Sequence, residues 1–509
     1  MTAPNPANPV PAQPTAPVMT EVFQSQQVRP LPGHLDKVPV FNSNSPEMVR
    51  SEGILLSTFP PQGKRSPAAH LNFPLQGRFD LFAHHVTQAN RPHDLTTLYL
   101  GILLYNPSQS TVTVNLQQAA SFLSTPDAPF RNLPAVVDNP IGYVFSGPGS
   151  RVMTQVLRGQ RQRHFPGQIV IPAGESRMLV NLPIPVPKLR LARSRPPAAA
   201  QLLVNQVGEI QPFAPWMNEF PIQNQTPSSN GRSTFMQLQT TGPIYAASMA
   251  MYSRLNPDRT ERAPALQDWQ TMLVNGRLAS PRDIPPTPPE RQSVRIYYGR
   301  VAGISQGSAW QAKLTDKPNA ADLTIPRLGQ AFSYGISTLP RGTLGTGQVQ
   351  SAPMLARYPD TAYFANGNYG VHYNLDLPLY NPTRQVQAVA VSIQTPLKQD
   401  QLRAGLDFLN PPAPQIFFRG TVRLGFNDDF GQNQVRYVHL VQRRGQRGEP
   451  LTTVNLQPGE RRNVEVDFLY PPDATPPQVL TVSTLLASNT ITTQKPAPAN
   501  SPQGQLSQN

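Results

Sequence analysis

Proline occupies 60 of the 509 positions, about 12% where a soluble protein averages near 5%, and this limits what the chain can become. Each proline fixes φ and removes a backbone donor, so long helices and long central strands cannot be frequent. The expected class is all-β, with short strands and irregular connections.

The strongest organising signal is a unit that occurs twice. Leu98 to Leu116 reads LYLGILLYNPSQSTVTVNL, and near Tyr373 the chain reads YNLDLPLYNPTRQVQAVAVSI. Tyr105-Asn106-Pro107-Ser108 is answered by Tyr380-Asn381-Pro382-Thr383. In the first occurrence Leu98, Leu100, Ile102 and Leu104 share one face while Tyr99, Leu103 and Tyr105 make the other apolar too, the pattern of a strand buried on both sides. Val112, Val114 and Leu116 then alternate with polar residues as a half-buried partner strand. In the second occurrence Leu375, Leu377 and Leu379 alternate with Asn374 and Asp376, so one face is expected to be wetter. A second pair follows each unit: QIVIPAGESRMLVNL and NLQPGERRNVEVDFL, where Pro172, Gly174 and Glu175 match Pro458, Gly459 and Glu460 with one residue fewer. The order is that of two related β-sandwiches with different insertions.

The chain is accordingly read as two β-sandwich-like (immunoglobulin-like) modules with short helices in insertions and disordered Pro-rich tails. Residues 1–30 form a Pro/Ala-rich tail, 31–279 the first module, 280–292 a Pro-rich linker, 293–488 the second module and 489–509 a tail. Helices are predicted at Ser45-Pro46-Glu47, from Ser150 to Gly159, and from Arg262 to Gly276, where Leu266, Trp269 and Leu273 fall at helical spacing. Two strands turning near Gln76-Gly77 are expected within 69–88, and a hairpin turning at Thr241-Gly242-Pro243 within Ser233–Tyr252. Strands are also expected over Gly53–Phe59 and Ser293–Ala302, and a hairpin turning on Asn427-Asp428-Asp429.

The formal charge is +14, and 36 of the 43 basic residues are arginine. Guanidinium groups bind carboxylate, sulfate or phosphate bidentately, so an anionic partner is expected. Four basic clusters stand out: Arg158, Arg161 and Arg163; Arg190, Arg193 and Arg195 beside Lys188; Arg443, Arg444 and Arg447; and Arg461 with Arg462. They lack the interleaved aromatics that single-stranded nucleic acid would stack on, which disfavours nucleic acid. Cysteine is absent, removing disulfides, thiolate nucleophiles and cysteine-ligated metals and fitting a periplasmic or surface location. No apolar run is long enough for a transmembrane helix. Residues 1–19 have neither a basic nor an apolar region of a signal peptide and match the Pro/Ala-rich tail that often follows one.

VPVFNSNSPE, LNFPLQGRFDLFAHH, LYLGILLYNPSQS, NGNYGVHYNLDLPLYNP and the linker at 280–290 together resemble a cyanobacterial domain-of-unknown-function family, from about Leu31 to about Leu486. That resemblance implies an exported protein with no assigned activity and supplies no catalytic residue.

Catalytic patterns are sparse. Gly303-Ile304-Ser305-Gln306-Gly307 fits G-x-S-x-G, but a nucleophile elbow needs a following helix and SAWQAKLTDKP is a poor one. His70, His84, His85 and His93 with Asp80 or Asp94 could supply metal ligands, although adjacent histidines on a strand face opposite sides. Asp80, Asp94, Glu261, Asp376, Asp428 and Asp429 are carboxylates whose pairing spacing cannot rank. No catalytic residue, metal or cofactor is assigned. The reading is a non-enzymatic envelope or extracellular protein, periplasmic or at the cell surface. It binds acidic polysaccharide or a protein partner through its arginine-rich loops. The alternative is a carbohydrate-active enzyme or hydrolase with its site between the modules, which a pocket collecting Asp, Glu or His there would favour.

Overall fold

The computed structural model describes residues 18–89, 94–186, 229–291, 295–401 and 403–486, with two further short strands at 202–204 and 210–212. The protein is all-β apart from a 3-10 turn and two α-helices among the described residues, α1 (Pro148–Leu157) and α2 (Leu266–Asn275).

The repeated unit is an arch. The strand Leu98–Tyr105 pairs with Ser176–Ile184, whereas Val112–Leu123 pairs with Gln168–Ile171. The two strands joined by Asn106-Pro107 therefore do not pair with each other, as a partner-strand reading expects; they belong to two facing layers. The second occurrence repeats this: His372–Tyr380 pairs with Arg461–Leu469 and Gln387–Gln394 with Thr452–Leu456, all antiparallel.

The asparagine is the reason the turn recurs. Asn106 Nδ2 donates to the carbonyls of Ser110 (2.7 Å), Ile171 (2.9 Å) and Pro172 (3.2 Å), and its Oδ1 accepts from the Ser108 amide and hydroxyl. Asn381 Nδ2 donates to Gln385 (2.8 Å), Leu456 (2.9 Å) and Gln457 (3.2 Å), and its Oδ1 accepts from the Thr383 amide and hydroxyl. Both amides are fully buried, and each ties the carbonyls of two turns together while meeting its own hydrogen-bonding needs. The partners show that Pro172 corresponds to Gln457 and Gly174 to Gly459, which removes the one-residue deletion expected from the prolines.

Two cores result. In the N-terminal one, Leu98, Leu100, Ile102, Leu104, Val180 and Ile184 meet Phe79, Leu81, Val112, Val114, Ile171 and Leu238. In the C-terminal one, Tyr373, Leu375, Leu377, Val464 and Val466 meet Val389, Val391, Val454, Leu480 and Val482. Backbone pairing also crosses between them. Ala302–Gln306 lies between Pro39–Ser43 and Ala352–Arg357, extending the N-terminal sheet, and Val136–Asp138 pairs with Leu440–Val438 of the C-terminal one. Helix α1 packs at this seam: Val152, Met153 and Val156 share a cluster with Phe82, Phe235 and Leu469.

Several local expectations are corrected. Leu75–Gln88 and Ser229–Tyr252 are each one strand, not two. The predicted turns at Gln76-Gly77 and Thr241-Gly242-Pro243 lie opposite each other, where the register slips between Thr240 paired with Gly77 and Ile244 paired with Leu75. At that corner the long strand leaves one layer for the other. Its first half pairs with Val112–Leu123 and its second with Leu98–Tyr105. Gly242 is needed there, because a Cβ would stand 2.7 Å from Val112 Cγ2.

No helix forms at Ser45-Pro46-Glu47. The Ser45 hydroxyl is drawn to Asp283, the Glu47 carbonyl accepts from the Val86 amide at 2.7 Å, and Met48–Val49 joins Val86–Thr87 as a parallel strand. The strand expected over Ser293–Ala302 begins instead at Ala302, where Ala302 and Ile304 enter the N-terminal core. The expected 1–30 tail is ordered from Thr20, since Thr20–Ser25 pairs with Gly405–Asn410. Helix α1 starts at Pro148, two residues before the predicted serine cap, and the hairpin at Asn427-Asp428-Asp429 and α2 form as expected. The tail at 489–509 lies outside the described residues.

Candidate functional site

The arginines of the expected anion-binding loops do not form one face. Arg158 stacks 4.1 Å over the Tyr437 ring and donates to the Pro140 carbonyl at 2.6 Å. Arg161 donates to the Phe165 carbonyl at 2.9 Å, and Arg163 is exposed. Arg443, Arg444 and Arg447 are exposed around one tight turn. Six residues of extended strand, about 20 Å, separate Tyr437 from Arg443. Arg443 borders a hollow of about 580 Å³ with Leu133, Pro134, Pro412 and Ile416. Arg190, Arg193 and Arg195 lie outside the described residues. Arg462 is neutralised by Asp429 at 2.6 Å and Glu460 at 2.5 Å, and Arg461 by Asp322 at 3.0 Å.

The remaining sequence candidates disperse. Ser305 lies within the strand Ala302–Gln306, buried, and no helix follows it. Its G-x-S-x-G glycine Gly303 is a packing residue, since a Cβ there would meet the Ala356 carbonyl at 2.1 Å. His70 is buried against the Ser57 hydroxyl at 2.8 Å, and burial pushes its pKa down to about 4. His85 bridges the Ser43 hydroxyl (2.9 Å) and the Pro46 carbonyl (2.8 Å), and burial takes it down to about 3. Both are therefore neutral near pH 7. His93 lies outside the described residues. Among the described residues no three His, Asp or Glu side chains come together as a metal-holding group.

A different set of residues converges at the seam. A cleft of about 530 Å³ is bounded by Asn42, Asn44 and Glu47 from one side, His84 from the strand Leu75–Gln88, residues 296–301, residues 365–369, and Pro472 with Asp473. Its N-terminal wall is held because Pro39–Ser43 pairs parallel with residues 80–83. Its C-terminal wall follows the strand Arg461–Leu469, whose chain continues through Tyr470, buried in the core, to Asp473. As the alternation of a strand requires, His84 faces this cleft while His85 faces the core.

The charges are mutually arranged. Arg300 Nε donates to Glu47 Oε2 at 2.7 Å and Arg300 Nη1 to Asp283 Oδ1 at 3.1 Å. Burial works against the guanidinium charge, and the two carboxylates more than offset it, holding the Arg300 pKa above its usual range. His84 Nδ1 contacts the Ser233 hydroxyl at 2.8 Å, and its Nε2 lies 3.8 Å from Glu47 Oε1. Burial holds His84 below the usual imidazole value although Glu47 pulls the other way. Burial pushes Asp473 up to about 6, against the opposing pull of Arg419 and of the Ser150 amide at the start of α1. Tyr369 is pushed up to about 12 by burial and stays a neutral phenol.

Three tyrosines, Tyr297, Tyr298 and Tyr369, and four asparagines, Asn42, Asn44, Asn366 and Asn368, complete the lining. Sequence reasoning missed this group. Glu47 and Arg300 stand 253 positions apart, and no local periodicity ties them. The one signal is conditional: a pocket between the modules that collects Asp, Glu or His is expected to favour the enzyme alternative over the binding reading, and the lining of this cleft includes Glu47, His84 and Asp473.

A family model described as "Protein of unknown function (DUF3370)" matches residues 26–484. No curated protein matches the chain.

Proposed function

On the premise that the chain belongs to this DUF3370 family, we propose that it is a non-enzymatic saccharide-binding protein of the cell envelope or exterior. Its two cores are two immunoglobulin-like β-sandwiches, and the ligand enters the cleft between them. The observation that carries the reading is the composition of that cleft. Tyr297, Tyr298 and Tyr369 bring aromatic surface to the lining, and four asparagines and two carboxyl groups bring polar groups beside it, the mix of apolar surface and few placed polar groups by which ligand sites work. A chain of 509 residues without cysteine supports a location outside the cytoplasm, and no helix among the described residues is long and apolar enough to cross a membrane.

The test is retention on immobilised polysaccharides by the full chain and by Tyr297→Ala, a residue that is 41% exposed and belongs to no core cluster. Retention by the parent and loss in the variant support the reading. No retention, or retention indifferent to Tyr297, overturns it. Exposed Arg443, Arg444 and Arg447 are proposed as a separate contact for acidic polymer or protein, removable by salt without touching the cleft.

One observation favours a second reading, glycoside hydrolysis. Asp473 is raised toward neutrality while Glu47 is charge-paired with Arg300, and two carboxyl groups in unlike environments can act as acid and base. Release of reducing ends that Asp473→Asn abolishes would establish it.

A further inference from the structure

The two ends of one strand pair complement each other. Ile416–Asn427 and Asn433–Arg443 run antiparallel from Asn427 opposite Asn433 to Ile416 opposite Arg443. At the turn between them stands Phe430, 89% exposed and the most exposed large apolar side chain among the described residues. The turn that presents it is held firmly. Asp428 Oδ1 accepts from the Phe430 and Gln432 amides, both at 2.9 Å, and its Oδ2 accepts from Gln434 Nε2 at 2.8 Å. The Gly431 amide donates to the Asp428 carbonyl at 3.0 Å. At the far end lies the hollow of about 580 Å³ between Leu133, Pro134, Pro412, Ile416 and Val441, with Arg443 at its border. Arg444 and Arg447 are exposed on the turn that follows. Ten steps of paired strand, about 33 Å, separate Asn433 from Arg443, so the ring does not reach the hollow of its own chain.

From this we infer that the hollow receives Phe430 of a second copy of this chain, with Asp428 of the entering turn set against Arg443, Arg444 and Arg447. The inference rests on the reading of those arginines as a protein contact and names the protein. The lining of the hollow is aliphatic, without the ring faces on which a sugar or a base would stack, and its concave shape takes a protruding apolar side chain. The charges match as well. Asp429 is spent on Arg462 at 2.6 Å, whereas Asp428 is met by neutral donors and brings its charge to the guanidinium forks. A two-fold contact of the arginine turn with itself would set like charges together, which is costly. Ring and hollow at opposite ends of one ribbon give instead a head-to-tail contact, which propagates from copy to copy or closes into a ring.

The experiment is sedimentation velocity of the full chain across its soluble concentration range, with retention on immobilised polyglutamate as a second measurement. The parent is expected to associate as concentration rises. Phe430→Ser and Leu133→Asp are each expected to weaken self-association about tenfold or more, the loss of one buried aromatic contact. Both should keep the parent melting temperature, since Phe430 is exposed and Leu133 half-buried. Mixed together, the two variants are expected to form a dimer with one copy of each, because the first keeps the hollow and the second keeps the ring. A parent that stays monomeric, a Phe430→Ser chain that associates like the parent, or a mixture that stays monomeric overturns the inference. If in those cases Arg444→Ala still weakens retention on polyglutamate, the arginine contact stands and only self-association falls. Retention indifferent to Arg444→Ala overturns the contact as well.

Discussion

The strands Leu98–Tyr105 and His372–Tyr380 hold the same place in the two arches and live in different surroundings. The first is buried on both faces, with Leu98, Leu100, Ile102 and Leu104 in the core and Leu103 packed with Trp269 of α2. The second alternates strictly: Tyr373, Leu375, Leu377 and Leu379 are buried and the residues between them are half-buried. Its outer face carries a polar ladder, in which Asn374 opposes Asp467 and Asp376 opposes Glu465. Arg423 reaches both acids, at 3.6 and 3.3 Å, and His372 contacts Asp467. Counting back from the arch tyrosines, Gly101 corresponds to Asp376. A Cβ at Gly101 would stand 2.7 Å from the Trp269 ring. The arch is thus a fixed device, and the layer laid over it decides the residues of its outer face.

Four measurements test that contrast. The largest effect is expected from Trp269→Ala, which opens a cavity under a fully buried ring and should cost about 3–5 kcal/mol in urea denaturation; a loss near zero would mean that α2 does not cover the strand. Asn106→Ala and Asn381→Ala should each cost about 2–3 kcal/mol by removing the set of buried side-chain bonds that ties two turns together. Because their bonding matches atom for atom, the two values should agree within about 1 kcal/mol, and a large difference would break the equivalence of the arches. Next, Gly101→Ala should destabilise by about 1–3 kcal/mol through overpacking, while Asp376→Ala should stay within about 0.5 kcal/mol, as for a surface change.

The smallest expected effect at any one pH step concerns a buried acid in each half. Asp467 has His372 and Arg423 beside it, whereas Asp80, 1% exposed, has its nearest cation, Arg78, at 4.0 Å. Burial raises the Asp80 pKa from 3.8 to about 7. The folded state therefore binds a proton that the unfolded state has released, and stability falls as pH rises from about 4 to about 7. The slope is at most on the order of 1 kcal/mol per pH unit. His70 and His85 act oppositely, losing stability as pH falls below the usual imidazole value. The diagnostic is accordingly the difference curve: Asp80→Asn should gain on the parent steadily as pH rises through this window, and a flat difference would remove Asp80 as a proton site.

Much of the fold was legible because its rules are short-ranged. Prolines exclude long helices wherever they stand, and the asparagine of each arch bonds within its own turn and the turn beside it, so Tyr-Asn-Pro and Gly-Glu recur as readable pairs. The doubly apolar pattern of 98–105 and the alternation of 373–379 announced one covered and one wetter face, and the burial agrees. Illegible was what each turn signal does to the path of the chain. Gln76-Gly77 and Thr241-Gly242-Pro243 carry turn residues, yet they bend two long strands around one corner, since those residues permit a reversal and a kink alike. The candidate site was illegible for a stronger reason. Asn42, Arg300, Asn368 and Asp473 come from four distant segments, and only the packing of two sheets across the seam brings them to one cleft. By itself, then, the amino-acid order determined an all-β chain with a duplicated arch, through backbone dihedrals and local hydrogen bonds. The tertiary structure alone decided which layer each strand joins and which polar groups are left facing one another, because those depend on burial between segments that no local pattern relates.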